Sequence, residues 1–294
     1  MCLRHAAIEI TKVNPMLRVG IQGESGSFSE EAALKLMGES VEICGFRDFE
    51  QVFRKTRQGE LDVCVVPLEN SLTGSIHRNY DLLRKRELKI HGELYLRIEH
   101  NLITSPGISF EGISTVISHP VALEQCQRFL EKNPHFQIKT SHDTSGSVRE
   151  MLEGKHTDWG SIAGKRAAET YGGQIILESI EDNKENYTRF VLLSPNLRTA
   201  EEADKTSIVF SFSNTPGALF KSLSVFALRD IDLAKIESRP IHGRPWEYLF
   251  YLDFLGSMDE KRVKNALSHL QEITDTMEIL GCYPRDKSVE KKGM

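Results

Sequence analysis

Short apolar runs alternate with longer amphipathic segments through the first two thirds of the chain. The runs 18–21, 61–67 and 115–117 are typical of strands, and the segments after them carry apolar residues three and four positions apart, the spacing of one helix face. Such alternation indicates βα units that build parallel sheets. We therefore predict an α/β fold for this region.

The predicted units fall into two groups, and the last strand pattern returns to the first of them. We expect lobe 1 to contain about residues 16–98 and 172–198, and lobe 2 about residues 99–171. Together they would form one domain, 16–198, of two doubly wound lobes joined by two crossing strands. Ligands of open α/β sheets bind beyond the C-terminal ends of strands, so a cleft between the lobes is the expected site.

Residues 205–284 have a different pattern, in which the element order is β-α-β-β-α-β. A helix is predicted from Pro216 to Leu228, and two long strands meet at a hinge, His242-Gly243. This order is typical of a ferredoxin-like module. Residues 199–204 read as a linker, 1–15 as an N-terminal extension and 285–294 as a polar tail.

Composition narrows the class of protein. A net charge of −5, from 37 basic and 42 acidic residues, gives no reason to expect nucleic acid or an anionic membrane as partner. No apolar run approaches the ~18 residues of a membrane span. The five cysteines are odd in number and scattered, which favours reduced thiols and a cytoplasmic location. Residues 1–15 lack the apolar core of a signal peptide.

Two polar loops next to predicted strands carry the candidate chemistry. Asn70 and Ser71 follow an apolar strand, and Thr188 and Arg189 lead into the strand that begins at Phe190. Neutral hydroxyls and amides with one cation suit a small anionic substrate. Helix capping is the structural alternative for Ser71, and Asp143 or Thr144 is predicted to cap another helix. No metal-ligand spacing and no activated nucleophile motif occurs.

The C-terminal module carries a second candidate site, for an amino acid. Asn214 or Thr215 is suited to cap the helix, with Pro216 at its first position, and the small residues after it leave amides open to a carboxylate. Glu237 would accept an ammonium group. An ordinary capped helix and a strand-end salt bridge are the structural alternative.

From Met16 to Pro284 the chain resembles the prephenate dehydratase family, whose members carry a C-terminal ACT domain. The resemblance rests on motifs that stand in the family's order. They are Gly26-Ser27-Phe28-Ser29, Val65-Val66-Pro67-Leu68-Glu69-Asn70-Ser71 with Gly74, Ser118-His119-Pro120, Thr144, Asp182, Asn186, Thr188-Arg189-Phe190, Gly217-Ala218-Leu219-Phe220 and Glu237-Ser238-Arg239-Pro240.

The resemblance implies a catalytic region like a type 2 periplasmic-binding-protein fold and a reaction without cofactor, from prephenate to phenylpyruvate, CO2 and water. It implies that Thr188 is the essential catalytic residue. Asn70, Ser71, Thr144 and Phe190 are carried over as substrate-binding residues, and Arg189 is assigned to a substrate carboxylate or to support of its loop.

The resemblance also implies that L-phenylalanine binds the ACT domain between subunits and inhibits the enzyme, in a homodimer or homotetramer. The effector residues expected from it are Asn214, Pro216, Gly217, Ala218, Leu219, Phe220, Glu237, Ser238, Arg239 and Pro240.

Two departures from the family pattern leave the substrate open. Asp143 precedes Thr144 where many bacterial members have serine, and Ser147 replaces the usual alanine. The Asp-Thr-x-Gly form is similar to that of arogenate dehydratases, so arogenate, which has an amino group in place of the keto group, is the alternative substrate. A non-catalytic amino-acid sensor is a more distant alternative. No chorismate mutase segment precedes Met16, which predicts the monofunctional form.

Overall fold

The computed structural model describes residues 16–196, 200–241 and 243–289. The predicted extension 1–15, residues 197–199, His242 of the predicted hinge and the end of the tail, 290–294, lie outside these ranges. Contacts divide the chain into two compact units. The described residues of the N-terminal unit are 16–80 and 94–190, and those of the C-terminal unit are 81–93, 191–196, 200–241 and 243–289. None of the helices in these ranges is long and apolar enough to cross a bilayer.

Strands and helices alternate as predicted over most of the chain. In chain order the elements are β1 (Leu17–Gln22), α1 (Phe28–Met37), β2 (Val41–Phe46), α2 (Phe49–Arg57), β3 (Val63–Asn70), β4 (Gly74–Ser75), α3 (His77–Arg86), β5 (Lys89–Arg97), β6 (Asn101–Thr104), β7 (Thr115–Ser118), α4 (Pro120–Gln125), α5 (Gln127–Glu131), β8 (Gln137–Thr140), α6 (Thr144–Glu153), β9 (Trp159–Ala163), α7 (Lys165–Tyr171), β10 (Gln174–Leu177), β11 (Tyr187–Ser194), β12 (Lys205–Ser211), α8 (Ala218–Ala227), β13 (Leu233–Pro240), β14 (Tyr248–Leu255), α9 (Lys261–Ile273) and β15 (Thr276–Tyr283).

The strands of the larger sheet that lie in the N-terminal unit have the order β11-β3-β1-β2, with β11 represented by its first residues, 187–190. β1 lies parallel to both β2 and β3. The apolar run of β3, residues 63–66, is buried throughout, as expected for a strand covered on both faces. β3 ends at Asn70, where a tight turn returns the chain to pair antiparallel as β4.

The second sheet of this unit has the order β10-β6-β9-β7-β8. Its parallel core is β7, between β8 and β9, and β6 and β10 pair antiparallel beyond β9. The prediction that lobe 2 ends at residue 171 is therefore wrong by one strand, because Ile175 of β10 pairs with Ile103 of β6. The apolar pattern of a strand does not say which free sheet edge it joins.

The C-terminal unit contains the predicted β-α-β-β-α-β module. Its strands have the order β13-β14-β12-β15, and β12 pairs antiparallel with both β14 and β15, which is the ferredoxin-like arrangement. One face carries a core of Ile208, Phe210, Phe226 and Leu252 with the apolar sides of α8 and α9.

The start of α8 differs from the sequence prediction. The helix begins at Ala218. Gly217, with φ of 79°, is the N-cap residue, and no side chain caps the helix by a hydrogen bond. The predicted capping by Asn214 or Thr215, with Pro216 at the first helical position, is therefore wrong. Glycine adopts this left-handed conformation at no steric cost, so the chain turns into the helix after Gly217.

Residues 81–93 and the chain from Val191 onward belong to the C-terminal unit. The predicted single boundary, between residues 198 and 205, therefore does not coincide with the division between the units. Ile90 of β5 pairs parallel with Gly281 of β15. A Cβ at position 281 would stand 2.3 Å from the Ile90 carbonyl oxygen, so only glycine permits this approach.

Candidate active site

Asn70, at the end of β3, is fixed by its own loop. Its Oδ1 accepts hydrogen bonds from the backbone amides of Leu72 and Thr73, each at 3.0 Å. Backbone amides only donate, so these contacts identify the oxygen and turn Nδ2 towards the start of β11. The side chain is 8% exposed.

The amide of Asn70 reaches the hydroxyl of Thr188. Nδ2 donates to Thr188 Oγ1 at 3.0 Å and to Asn186 Oδ1 at 2.8 Å, and Tyr187 O lies at 3.2 Å. Since Thr188 Oγ1 accepts here, its own hydroxyl proton is left to donate to another group. The loop after β3 and the first residues of β11 thus form one hydrogen-bonded unit.

Ser71 joins the same two segments through three hydrogen bonds. Its amide donates to Tyr187 O at 2.8 Å. Its hydroxyl donates to Glu185 O at 2.7 Å and accepts from Tyr187 N at 2.9 Å. Each polar atom of this side chain is occupied, so Ser71 holds the Thr188 loop in register with β3.

Behind this pair, polar groups continue into the protein. Asn186, 1% exposed, donates from Nδ2 to Gln125 Oε1 at 3.0 Å, and His100 Nε2 lies 2.8 Å from the same oxygen. An amide oxygen can only accept, so His100 Nε2 carries a proton. Burial lowers the pKa of His100, and the bond to Gln125 opposes this only in part. The imidazole is therefore neutral near pH 7.

Arg189 and Phe190 lie on the same strand as Thr188 and have different surroundings. Successive side chains of a strand point to opposite faces, so Arg189 leaves the face that carries Thr188. Its guanidinium is 2% exposed and lies 4.0 Å from Glu69 Oε2. Of the two roles expected for Arg189, burial against Glu69 favours support of the loop. Phe190 is 3% exposed and is two residues from Thr188.

Thr144 is the first residue of α6, and no hydrogen bond among the described residues joins it to Thr188. Asp143 is the cap, as one predicted alternative had it, and its carboxylate accepts from the amide of Gly146. The Thr144 carbonyl accepts from Ser147 Oγ at 2.6 Å.

The loop between β1 and α1 connects the two sheets of this unit. The carbonyl of Ser25 accepts from the hydroxyls of Ser145 and Tyr171. Glu24 binds the Arg149 guanidinium through both oxygens, at 2.8 and 2.9 Å. The loop is thereby held against α6 and the end of α7.

Sequence reasoning missed three residues of the polar chain behind Thr188 as site residues. Asn186 stands within a family motif that gave it no role, and Gln125 and His100 stand in none of the motifs. A polar residue on a short helix and a histidine before an apolar strand are common, and only the folded chain brings them to Asn186.

The candidate effector residues lie in the C-terminal unit. Asn214, Pro216 and Gly217 are exposed, and Phe220 is 76% exposed. On β13, Glu237 lies 3.7 Å from Lys235 Nζ, and the guanidinium of Arg239 binds the carboxylate of Asp81. Leu219 is partly exposed, at 38%.

Comparisons with known proteins identify the family and similar folds. The prephenate dehydratase family model matches residues 19–197. The protein called arogenate dehydratase/prephenate dehydratase 1, chloroplastic, of Arabidopsis thaliana is 43% identical over 286 residues, covering 92% of this chain and 72% of the relative. The structure of prephenate dehydratase from Arthrobacter aurescens in complex with L-Phe aligns with a TM-score of 0.83 and 29% identity, over 92% of this chain and 90% of that one.

Another solved structure has a similar fold, but its description names an activity other than prephenate dehydratase. GqqA, described as a novel type of quorum quenching acylase, aligns with a TM-score of 0.84 and 27% identity, over 92% of this chain and 98% of that one. The names of several Arabidopsis relatives call them chloroplastic. This finding contradicts the cytoplasmic location expected from the sequence.

Proposed function

The chain belongs to the prephenate dehydratase family, and on that premise we propose that it converts prephenate to phenylpyruvate, CO2 and water. It is a dehydratase of phenylalanine biosynthesis and hence a lyase. The observation that supports the proposed substrate chemistry best is the hydrogen bond from Asn70 Nδ2 to Thr188 Oγ1, at 3.0 Å.

In the proposed reaction the bond between the ring and its carboxylate breaks, and the electron pair enters the ring. The ring carbon–oxygen bond breaks as the ring becomes aromatic, and the departing hydroxide takes up a proton to become water. The reaction needs no external electron acceptor, because the pair that enters the ring from the broken carbon–carbon bond is balanced by the pair that leaves with the hydroxide. What the protein must supply is orientation and a donor to the developing negative charge on oxygen.

Thr188 has the position and polarity for that role. Its side chain is 8% exposed, so its interactions are stronger than they would be in water. Because the Asn70 amide donates to Oγ1, electron density moves away from the hydroxyl proton, which makes Thr188 a better donor. Ser71 and Asn186 keep both partners in place.

Replacement of Thr188 tests the proposal. Thr188→Val keeps the shape and removes the hydroxyl, and we expect kcat/KM for prephenate to fall roughly 100- to 1,000-fold, the loss typical of one oxyanion donor. Thr188→Ser restores the hydroxyl and should recover most of the activity. Phenylpyruvate absorbance in alkali gives the rate. A rate in Thr188→Val within twofold of the unsubstituted protein would exclude this role.

Arogenate is the second candidate substrate, favoured by the Asp143-Thr144 sequence at the start of α6. Here Asp143 Oδ1 accepts from the amide of Gly146 as the helix cap, which gives this carboxylate a structural role in its own helix. We expect a higher kcat/KM for prephenate than for arogenate. A clear preference for arogenate would overturn the proposed substrate, and ligand binding without turnover would favour a sensor.

We further propose that the C-terminal module is an ACT domain that binds L-phenylalanine and inhibits the enzyme. The uncapped first turn of α8 leaves amides for a carboxylate, and Glu237 is a carboxylate suited to an ammonium group. Calorimetry with L-phenylalanine should detect binding that Glu237→Ala weakens and that the exposed control Glu272→Ala leaves unchanged. No binding, or equal binding in both variants, would argue against this site.

We propose a homodimer or homotetramer formed through the same module. Support comes from apolar side chains exposed on it, Phe220 at 76% and Leu228 at 80%, since large exposed apolar groups mark association surfaces. Sedimentation of the full chain should give more than one copy, and Phe220→Asp should shift the distribution towards the monomer.

A further inference from the structure

A cavity of about 1010 Å³ opens in the C-terminal unit, beside the end of β13. It is bounded by the second half of α3, by Arg239 to Ile241 and by residues 243–246. The residues that matter most in its lining are Arg84, Lys85, Arg239, Arg244, Trp246 and Leu249. Residues 214–220, which include six of the ten residues proposed for the phenylalanine site, do not line it, whereas Arg239 and Pro240 of the other four do.

The lining is strongly basic. Four cations from three separate segments face the cavity, and Asp81 is the single carboxylate among its described lining residues. Asp81 binds Arg239, and Arg244 lies 3.3 Å from Glu247 in an exposed pair, which contributes little. Within the described chain, Arg84 and Lys85 have no ion-pair partner.

Helix electrostatics account for only part of this charge. Arg84 and Lys85 stand in the last turn of α3, where cations are favoured by the helix dipole. Arg239 and Arg244 are on other elements and gain nothing from that helix end. Like charges that converge on one concave surface repel each other unless an anion lies between them. In addition, Arg239 Nε is buried and has no hydrogen-bond partner among the described residues.

Trp246 lines the cavity with its aromatic ring, and its backbone is in a strained conformation. Its φ is 67°, in the left-handed region that a bulky residue rarely adopts. Its indole is 77% exposed beside the cavity, although burial would stabilise the fold. A strained residue that presents an aromatic ring next to cations is typical of a ligand clamp.

We propose that this cavity binds a small organic anion that combines a planar ring with two or more anionic groups. The ring would pack on Trp246 and Leu249, and the anionic groups would pair with Arg84, Lys85 and Arg244. Carboxylates and phosphates share this chemistry, and the arginine fork binds either of them. The volume suits a ligand of ordinary metabolite size. The site adjoins the proposed phenylalanine site, with which it shares Arg239 and Pro240, but its other lining residues are different and it does not depend on the enzyme's activity.

Two probes test the site on the full chain, benzene-1,3,5-tricarboxylate and adenosine 5′-diphosphate. Trp159, the other tryptophan, is 8% exposed and stacks on His156, so a change in emission reports mainly on Trp246. We expect at least one probe to quench the emission and to bind in calorimetry. The affinity should fall roughly tenfold in Arg244→Gln, as for one charged hydrogen bond, and should fall with added salt.

Matched variants distinguish binding in this cavity from attraction of anions to basic residues elsewhere on the unit. Arg262→Gln removes an exposed arginine of the same unit, which pairs with Glu260, and should leave the affinity unchanged. Trp246→Phe keeps a ring, so calorimetric binding should persist while the emission change is lost. Absence of binding by both probes would overturn the proposal, as would an affinity that neither Arg244→Gln nor Arg84→Gln lowers. Displacement of a probe by L-phenylalanine would also overturn it, because the cavity would then belong to the effector site.

Discussion

His100 is neutral because it is buried, and hydrogen bonds through the side-chain amides of Gln125, Asn186 and Asn70 connect it to Thr188. His100 is 2% exposed, its Nε2 binds Gln125, and its Nδ1 is buried without a hydrogen-bond partner among the described residues. A proton on Nδ1 would place a charge in a buried site, where desolvation outweighs the opposing effects of Gln125 and Glu181. The cost of that charge keeps the pKa below its ordinary value of 6.5.

We expect acid to destabilise the fold through His100. The unfolded chain takes up this proton near pH 6.5 and the folded chain only at lower pH, so stability is fully present above about pH 6.5 and falls as the pH drops below it. Between pH 7.5 and 5.5 the contribution is at most about 1.4 kcal/mol. Urea unfolding of the native protein and of His100→Asn at both pH values measures it. The same pH dependence in both proteins would contradict the expectation.

Residues near the active site differ in how far the sequence reveals them. Asn70 and Thr188 stand in polar loops next to apolar strands, so pattern alone makes them candidates. The role of Arg189 follows from strand alternation only after β11 is known to begin at Tyr187. Gln125 becomes relevant only because α4 ends beside the Asn186 loop, 61 residues later in the chain, a contact that no local pattern records.

At the level of elements, the loop between β1 and α1 matters because it fits closely against α6 and α7. Gly26 has a φ of 79°, and a Cβ there would lie 2.8 Å from Ala167 Cα and 2.9 Å from Ser145 Oγ. A backbone atom cannot move aside as a flexible side chain can. The loop therefore requires glycine for two independent reasons, its conformation and its packing.

Comparison with a second glycine separates these reasons. Gly59 has nearly the same φ, 77°, and a Cβ at that position would meet no atom within 4 Å, so Gly59→Ala should cost only the left-handed strain, roughly 1–2 kcal/mol. Gly26→Ala should cost a further 1–3 kcal/mol, approximately, because of the overlap with α7. Urea unfolding measures both, and equal losses would show that the close packing is unimportant.

The sequence predicts a helix or strand correctly where the spacing of its apolar residues determines the element. Buried strands such as β3 and the order of the C-terminal module follow from apolar runs and helical spacing. The partner of β10 does not, because an apolar strand fits several sheet edges. The start of α8 also differs, since a left-handed glycine offers the chain an alternative to the side-chain caps present in the sequence.

For the whole molecule, the boundary between the units is set by contacts distant in sequence. Glu93 and Lys205 are 112 residues apart, yet Lys205 Nζ lies 3.0 and 2.9 Å from the two carboxylate oxygens of Glu93. Both side chains are almost fully buried, and Asp253 lies 4.0 Å from the same ammonium group. A composition shift at residue 199 indicates a linker but cannot reveal that residues 81–93 pack with the C-terminal module.

The buried ammonium group of Lys205 holds two carboxylates together, so its loss should be costly. Lys205→Met removes this cation from Glu93 and Asp253, which remain buried, and we expect a loss of roughly 3–5 kcal/mol. Glu93→Gln should cost less, because Asp253 still balances the lysine. Lys264→Met makes the same replacement at an exposed pair with Asp259 and should cost less than about 1 kcal/mol.

Acid should relieve the defect in Lys205→Met, because protons neutralise the two carboxylates that the lysine no longer balances. Its deficit relative to the native protein should therefore shrink as the pH falls from 7.5 to 5. Urea unfolding at the two pH values checks this. A deficit that does not change with pH would mean that the lost methylene packing of Lys205, and not its charge, stabilises this face of the C-terminal unit.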